Sequence, residues 1–381
     1  MDKENIRNEI DAIDDKIVDL YLKRFECVKK VAEVKQQENL PVSDPARERE
    51  ILNRLSLAAG PEYENEIAML FSTLFSLSRA KERKFITKES KLESEIKRAV
   101  AMAPSEFPSH ATVACQGTEG AFSQQAASTF FKFPAILFFN SFADIFSAVE
   151  KGMCQYGVLP IENSSAGSVT TVYDNMLRHD FRIVKACKLH VSHVLLAKKG
   201  VRMSDIKEIK SHPQALSQCS KFLLNMRNVK QTPTANTALA ARELSESGRT
   251  DQAVIASRKC AELYNLEIIK DEICDTPSNF TRFICISREL EIYKDASKIS
   301  LIMTLPHKPG SLANILARFS SIGLNLTKLE SRPIPGMEFE FRFTFEFESK
   351  PNDPGAIKLL SELSTDPDIE QFTFLGAYAE I

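Results

Sequence analysis

The chain has 381 residues, too many for one core of ordinary size, so two or three domains are expected. Lys and Arg number 49 against 51 Asp and Glu, which leaves no overall basic field to recruit nucleic acid or an anionic membrane surface; any anion site must be local. Eight scattered cysteines form no C-x-x-C pair, the charged start Met1-Asp2-Lys3-Glu4-Asn5 lacks a signal-peptide core, and no run reaches the ~18 apolar residues of a membrane helix, so a cytoplasmic chain with reduced thiols is expected.

From Ile6 to about Glu38 the residues Ile6, Ile10, Ile13, Ile17, Leu20, Val28 and Val31 recur at spacings of three and four, the pattern of one long amphipathic helix. Leu40-Pro41 ends it. Asp44-Pro45 supplies a capping side chain before a proline at the first helical position, and a second helix runs to about Leu57. A third carries Ile67, Leu70, Phe71 and Leu74 on its inner face. On the first helix Arg24 and Lys35 fall within about 20° of the centre of the apolar stripe, where charge needs an acidic partner or an anionic ligand. Alternatively both snorkel to solvent near helix ends and pair with glutamates. Arg7 lies ~100° from Arg24 around the helix and cannot aim at the same point, although it can reach a site on a partner chain.

Arg7, Arg24, Lys35, Asp44, Arg47, Glu48, Ser78 and Glu82, in that order over the first 90 or so residues, resemble the all-helical chorismate mutase family. The resemblance implies an intertwined dimer for residues 1–100, with Arg7 entering the partner's site. It also implies that Arg7, Arg24 and Arg47 hold the substrate carboxylates and that Lys35 and residue 82 donate to the ether oxygen. Glu48, Asp44 and Ser78 then orient the hydroxyl and ring. The rearrangement of chorismate is pericyclic and needs no nucleophile or cofactor, only a fixed conformer and stabilised negative charge on the breaking ether oxygen.

Ala103 to Ser109 reads as a linker. Beyond it, residues 111–288 alternate short apolar runs (Thr112 to Cys115, Tyr156 to Leu159, Val194 to Leu196, Ala253 to Ile255, Phe283 to Ile286) with helical stretches, which suggests a largely parallel sheet. Gly117-Thr118-Glu119-Gly120 lacks the spacing of a dinucleotide fingerprint and reads as a tight strand-to-helix turn. Glu162-Asn163, Ser211-His212-Pro213-Gln214, Gln218 and Asn279-Phe280-Thr281-Arg282-Phe283 adjoin strand ends and together resemble the prephenate dehydratase domain, a two-lobed α/β fold with its site between the lobes. The resemblance implies Thr281 as donor to the leaving hydroxyl, with Asn163, Ser211, Gln218 and Glu162 positioning prephenate. His212 reads as structural. His190 and His193 stand two apart without a third ligand, so no metal site is expected.

In the last segment, residues 297–381, the strand Ile299 to Met303 precedes a strict alternation: Phe339, Phe341, Phe343, Phe345 and Phe347 on one face, Glu340, Arg342, Thr344, Glu346 and Glu348 on the other. This predicts a strand with one buried face. Helical stretches near 311–321 and 354–364 complete a ferredoxin-like β-α-β-β-α-β order. Gly310-Ser311-Leu312 at a helix start and Glu330-Ser331-Arg332 after a strand resemble the phenylalanine-binding ACT domain, which implies an effector site at those residues. The whole then reads as a cytoplasmic homodimer or higher homo-oligomer that takes chorismate and prephenate, is inhibited by phenylalanine, and binds neither nucleic acid nor membrane. A second class stays open, a binding protein whose two-lobed domain senses a small acid without turning it over; a third, prephenate dehydrogenation, lacks its dinucleotide fingerprint.

Many mutases of this family carry glutamine where this chain has Glu82. An amide donates at any working pH, whereas a carboxyl group donates only when protonated. Mutase activity is therefore expected to decline as pH rises through the neutral range, and Glu82→Gln to flatten the profile. A level profile in the unmodified chain excludes Glu82 as the ether-oxygen donor.

Overall fold

Capping chemistry and apolar spacing together produce the helical N-terminal unit. The structure, a computed structural model, describes every residue except 1, 39, 41, 43, 87, 88, 227, 335, 338 and 339. Helices α1 (Lys3–Glu38), α2 (Pro45–Ala59) and α3 (Glu64–Ile86) follow one another, and α3 packs on both others. The Asp44 carboxylate accepts from the Arg47 N–H at 3.0 Å, and Pro45 occupies the first turn of α2. Only Val28 and Ala32 of α1 are buried. The apolar row Ile6, Ile10, Ile13, Ile17 and Leu20 stays between 40% and 64% exposed, so the stripe expected to be buried is uncovered in the single chain. A fourth helix, α4 (Lys91–Ala101), leaves this unit and packs on the C-terminal module, where Ile96 joins the core and Ser361 Oγ donates to Ser90 Oγ at 2.8 Å.

The first lobe of the central unit comprises β1 (His110–Gln116), α5 (Phe122–Phe130), β2 (Phe133–Phe139), α6 (Phe142–Glu150), β3 (Tyr156–Asn163), β4 (Gly167–Ser168), α7 (Thr170–Arg178) and β5 (Arg182–His190). The second comprises β6 (Val194–Ala197), β7 (Glu208–Ser211), α8 (Pro213–Gln218), α9 (Ser220–Leu224), β8 (Lys230–Pro233), α10 (Thr237–Glu246), β9 (Gln252–Ala256), α11 (Lys259–Leu263) and β10 (Glu267–Lys270). The chain then returns to the first lobe as β11 (Phe280–Ser287), which inserts antiparallel between β3 and β5. That return makes the first sheet mixed, where the alternation of apolar runs suggested a largely parallel one. The second sheet, ordered β10-β6-β9-β7-β8, is mixed too, with only β7 parallel to its neighbours β8 and β9. The Gly117 to Gly120 turn docks the lobes together: the Gly120 carbonyl accepts from Ser257 Oγ at 3.0 Å, and a Cβ at residue 120 would lie 2.8 Å from Cys260 Sγ.

The C-terminal module runs β12 (Lys298–Leu305), α12 (Ser311–Ser321), β13 (Leu326–Pro333), β14 (Phe341–Glu348), α13 (Pro354–Ser364) and β15 (Gln371–Glu380), the β-α-β-β-α-β order expected. Its antiparallel sheet, ordered β13-β14-β12-β15, continues into the first lobe because Ala379 and Glu380 of β15 pair parallel with Lys185 and Ala186 of β5. Gly376 permits that approach: its φ is +144°, and an added Cβ would meet the Ile183 carbonyl oxygen at 2.3 Å. Phe343, Phe345 and Phe347 pack in the module core; Phe339, the first of the expected row, lies outside the described residues. The polar face of β14 departs from the expectation of a solvated surface. Thr344 and Glu346 are 6% and 3% exposed, because this face is covered by the first lobe.

Candidate active site

Two clusters of polar side chains stand out, one among the helices and one between the lobes. In the helical unit, the Arg24 guanidinium donates to Ser78 Oγ at 2.5 Å, and the Lys35 ammonium reaches Glu82 Oε2 at 2.8 Å and the Val42 carbonyl at 2.6 Å. Ser78 and Glu82 are one turn apart on α3 and so share a face. The Lys35 and Glu82 side chains are only 16% and 9% exposed, so the lysine does not snorkel; it meets the acidic partner that its position in the stripe demands. That ammonium already serves a carboxylate and must be shared with any ligand oxygen. Glu48, in the first turn of α2, is held by Arg79 of α3, whose Nη1 contacts both carboxylate oxygens at 2.5 and 2.6 Å.

Two residues expected at this cluster do not join it with their side chains. The Asp44 carboxylate caps α2, and Arg47 is exposed and turned toward Glu50 at 2.7 Å, one helical turn on. Arg7 precedes Arg24 by 17 positions, ~25 Å along a straight helix, and cannot reach the same cleft within one chain.

Between the lobes, Asn163 at the end of β3 lies opposite Thr281 of β11 in register. Its Nδ2 donates to Thr281 Oγ1 and to Asn279 Oδ1, both at 2.9 Å, while its Oδ1 accepts from the N–H groups of Ser165 and Ala166 at 3.0 Å. These partners on either side set the orientation of the amide. Because Thr281 Oγ1 accepts from Asn163, its own O–H is free to donate to a ligand. Gln218, at the end of α8 in the second lobe, accepts through Oε1 from Asn279 Nδ2 at 3.1 Å and lies 3.2 Å from His193 Nε2, so the network spans both lobes. An adjoining cavity of about 240 Å³ is lined by Ser165, Ala166, Gln214, Gln218, Cys274 and Asn279.

Two residues expected in this cleft lie elsewhere. Glu162 neighbours Asn163 on a strand and so points to the opposite face, where its carboxylate pairs with Lys328 of β13 at 3.0 Å. Ser211 is wholly buried and donates to the Ile255 carbonyl at 2.6 Å, a tie inside the second sheet. His212 caps α8 through Nδ1, the structural task expected of it. Asn279 and His193 were missing from the expected set of site side chains. Asn279 was legible in principle, since it stands two positions before Thr281 and strand alternation brings both to one face. His193 carried no such signal. It is 3% exposed, with Nδ1 lacking a hydrogen-bond partner, and burial pushes its pKa down to about 4 despite the Gln218 contact. It is a neutral prop for Gln218, and among the described residues no cluster of His, Cys, Asp and Glu is placed to hold a metal ion. No described helix is long and apolar enough to cross a membrane.

The residues expected to bind an effector are divided by the same alternation. Gly310, at φ +85°, precedes α12, whose first turn has no side-chain cap. Glu330, Ser331 and Arg332 lie within β13 rather than after it. Glu330 accepts from Ser168 Oγ at 2.5 Å and Arg332 Nε at 3.1 Å, and the Arg332 guanidinium lies 5.1 Å from the centre of the Tyr173 ring, so both face the first lobe. Burial works against the Glu330 carboxylate, yet the Ser168 hydroxyl with Lys328 and Arg332 holds its pKa below the usual range. Ser331 pairs with Phe343 and lies on the opposite, helix-bearing face.

Comparison with known proteins places both clusters inside recognised families. Residues 6–83 match the family described as chorismate mutase type II, and residues 113–291 match prephenate dehydratase. The bifunctional chorismate mutase/prephenate dehydratase of Escherichia coli (strain K12) is 30% identical over 364 residues, 94% of this chain and 92% of that protein. The chloroplastic arogenate dehydratase/prephenate dehydratase 2 of Arabidopsis thaliana is 40% identical over 228 residues, 59% of this chain and 60% of that protein, so the chain spans less than two thirds of that relative. A crystal structure of prephenate dehydratase from Arthrobacter aurescens in complex with L-Phe superposes with a TM-score of 0.62 at 29% identity, covering 70% of this chain and 90% of that one.

The neutral burial of His193 has a measurable consequence. Unfolded, the imidazole binds a proton below about 6.5, while the folded state resists protonation down to about 4. The unfolded state therefore binds more protons across that window, and stability, complete above it, falls by as much as about 3 kcal/mol as pH drops through it. Thermal unfolding followed from pH 7 to 4 should show this loss, and His193→Gln should reduce its pH slope.

Proposed function

Because the chain belongs to the family of bifunctional chorismate mutase/prephenate dehydratases, we propose that it rearranges chorismate to prephenate among its N-terminal helices and converts prephenate to phenylpyruvate, with loss of carbon dioxide and water, between its central lobes. Phenylalanine, the amino acid to which phenylpyruvate leads, inhibits it through the C-terminal module, an ACT domain.

The observation that carries the dehydratase reading is the hydrogen bond from Asn163 to Thr281. Prephenate gains an aromatic ring as carbon dioxide and hydroxide depart, so the protein need only hold the dianion and deliver a proton to the leaving hydroxyl. Thr281, with its oxygen occupied as an acceptor and its O–H free, is oriented for that donation. Asn279 and Gln218 hold the surrounding amides, and Glu162 has no direct part.

For the mutase, Arg24 and Lys35 supply the cationic wall for the two carboxylates and the ether oxygen, as the family pattern implies. The wall is completed by Arg7 of a second copy. The uncovered row Ile6, Ile10, Ile13, Ile17 and Leu20 supports that arrangement, since an apolar face of this length favours burial against another chain. The L-Phe complex of the Arthrobacter aurescens protein supports phenylalanine as effector here. Its ligand would take the uncapped start of α12 at Gly310, Ser311 and Leu312, where backbone N–H groups suit a carboxylate. Glu330 and Arg332, which touch the first lobe, transmit rather than bind.

Incubation with prephenate should produce the absorbance of phenylpyruvate. Thr281→Ala should lower that rate by about 100-fold or more while mutase activity persists; loss of both activities from a folded protein would overturn the division of labour. Mixing inactive Arg7→Ala chains with inactive Lys35→Ala chains should restore part of the mutase activity, since one site of a heterodimer then carries both lesions and the other carries neither. Stable heterodimers without activity would show that the site is not shared.

A further inference from the structure

Arg79 has no part in the roles assigned above, yet it touches Glu48, which the family pattern implies orients the substrate hydroxyl. It follows Ser78 on α3, and its side chain is 13% exposed. Its Nη1 contacts both oxygens of Glu48 at 2.5 and 2.6 Å, whereas its second partner, Asp368 before β15, is 3.7 Å away and half-exposed. A loose, solvated pair of that kind contributes little, so Glu48 is the contact that fixes the side chain.

The charges around the cleft give this contact a purpose. Arg24 and Lys35 are balanced by Glu48 and Glu82, so without Arg79 the cleft of one chain would be neutral toward a substrate with two carboxylates. Arg79 restores a net positive charge to a site where a carboxylate stands in place of the amide common in this family. It also settles the geometry of Glu48. Each carboxylate oxygen has two acceptor positions, and one guanidinium nitrogen occupies one on each, leaving the others for a hydroxyl.

We propose that Arg79 is a positioning residue of the mutase site, which orients the Glu48 carboxylate toward the substrate hydroxyl and offsets its charge. The inference rests on the mutase reading of the helical unit.

The test uses the full chain with Arg79→Gln, Arg79→Lys, Glu48→Gln and the double variant R79Q/E48Q, assayed separately with chorismate and with prephenate. A lost hydrogen bond to a charged group corresponds to roughly 10- to 100-fold, so R79Q should lower mutase kcat/KM by that factor, with KM rising, while turnover of prephenate is unchanged. R79K should recover part of the loss by keeping the charge. In the E48Q background R79Q should cost less than about 2-fold more, because the two side chains act as a unit. A purely structural tie between α2 and α3 would instead lower thermal stability and leave KM unmoved. That outcome overturns the proposal, as does an R79Q enzyme within about 2-fold of the parent. If R79Q also loses prephenate turnover, R79K decides: an intermediate mutase rate supports the role, and a rate equal to the parent overturns it. An unmodified chain that leaves chorismate unchanged would defeat the mutase reading itself, and the inference with it.

Discussion

Arg282 is 7% exposed, and its guanidinium donates to Glu346 at 2.7 and 2.9 Å and to the Tyr378 hydroxyl at 3.0 Å. Glu346 and Tyr378 belong to the C-terminal module, whereas Arg282 belongs to β11 of the first lobe. Removing one partner from a buried ion pair of this kind typically costs ~3–5 kcal/mol, because the remaining charge is left in a poorly solvated place. The clamp thus explains why the polar face of β14 is buried. It also fixes how the last module meets the central unit, together with the sheet that continues from β5 to β15.

The same strand carries Thr281 immediately before Arg282. On β3, likewise, Asn163 follows Glu162, and the register sets Asn163 opposite Thr281 and Glu162 opposite Arg282. Since successive side chains point to opposite faces, the two strands show Asn163 and Thr281 to the interlobe cleft and Glu162 and Arg282 to the C-terminal module. A shift of the module against Lys328 or Glu346 therefore bears on the backbone that holds Thr281 and Asn163. Any ligand that favours one arrangement of the module over another gains leverage on the cleft only through such differential contacts.

The helical unit obeys a different constraint. A helix that runs ~54 Å cannot bury its whole apolar stripe against the shorter α2 and α3. What remains uncovered is the N-terminal part that carries Arg7, and the polar cluster lies toward the other end, around Arg24 and Lys35. Length alone thus separates Arg7 from the cluster around Arg24 and Lys35.

Local patterns in the sequence determined the elements and much of the chemistry. The spacing of three and four in α1, the Asp44-Pro45 start of α2, and the phenylalanine alternation of β14 are effects between near neighbours and survive into the structure. That Lys35 needs an acidic partner or an anionic ligand follows from the same local logic, whereas its meeting with Glu82, 47 positions on, and the placement of Thr281 beside Asn163 come from the fold. Tertiary structure decided what local patterns leave undetermined: which side of a strand meets water and which meets another domain. Glu162 and Ser211 sit beside cleft residues in sequence yet face elsewhere, and Glu330 is separated from Ser331 by a single alternation. The antiparallel insertion of β11, the packing of α4 on the C-terminal module, and the grip of Arg79 on Glu48 all join positions distant in the chain. Periodicity reports that a face is apolar or polar, but the identity of what covers it depends on long-range packing, which no window of neighbouring residues contains.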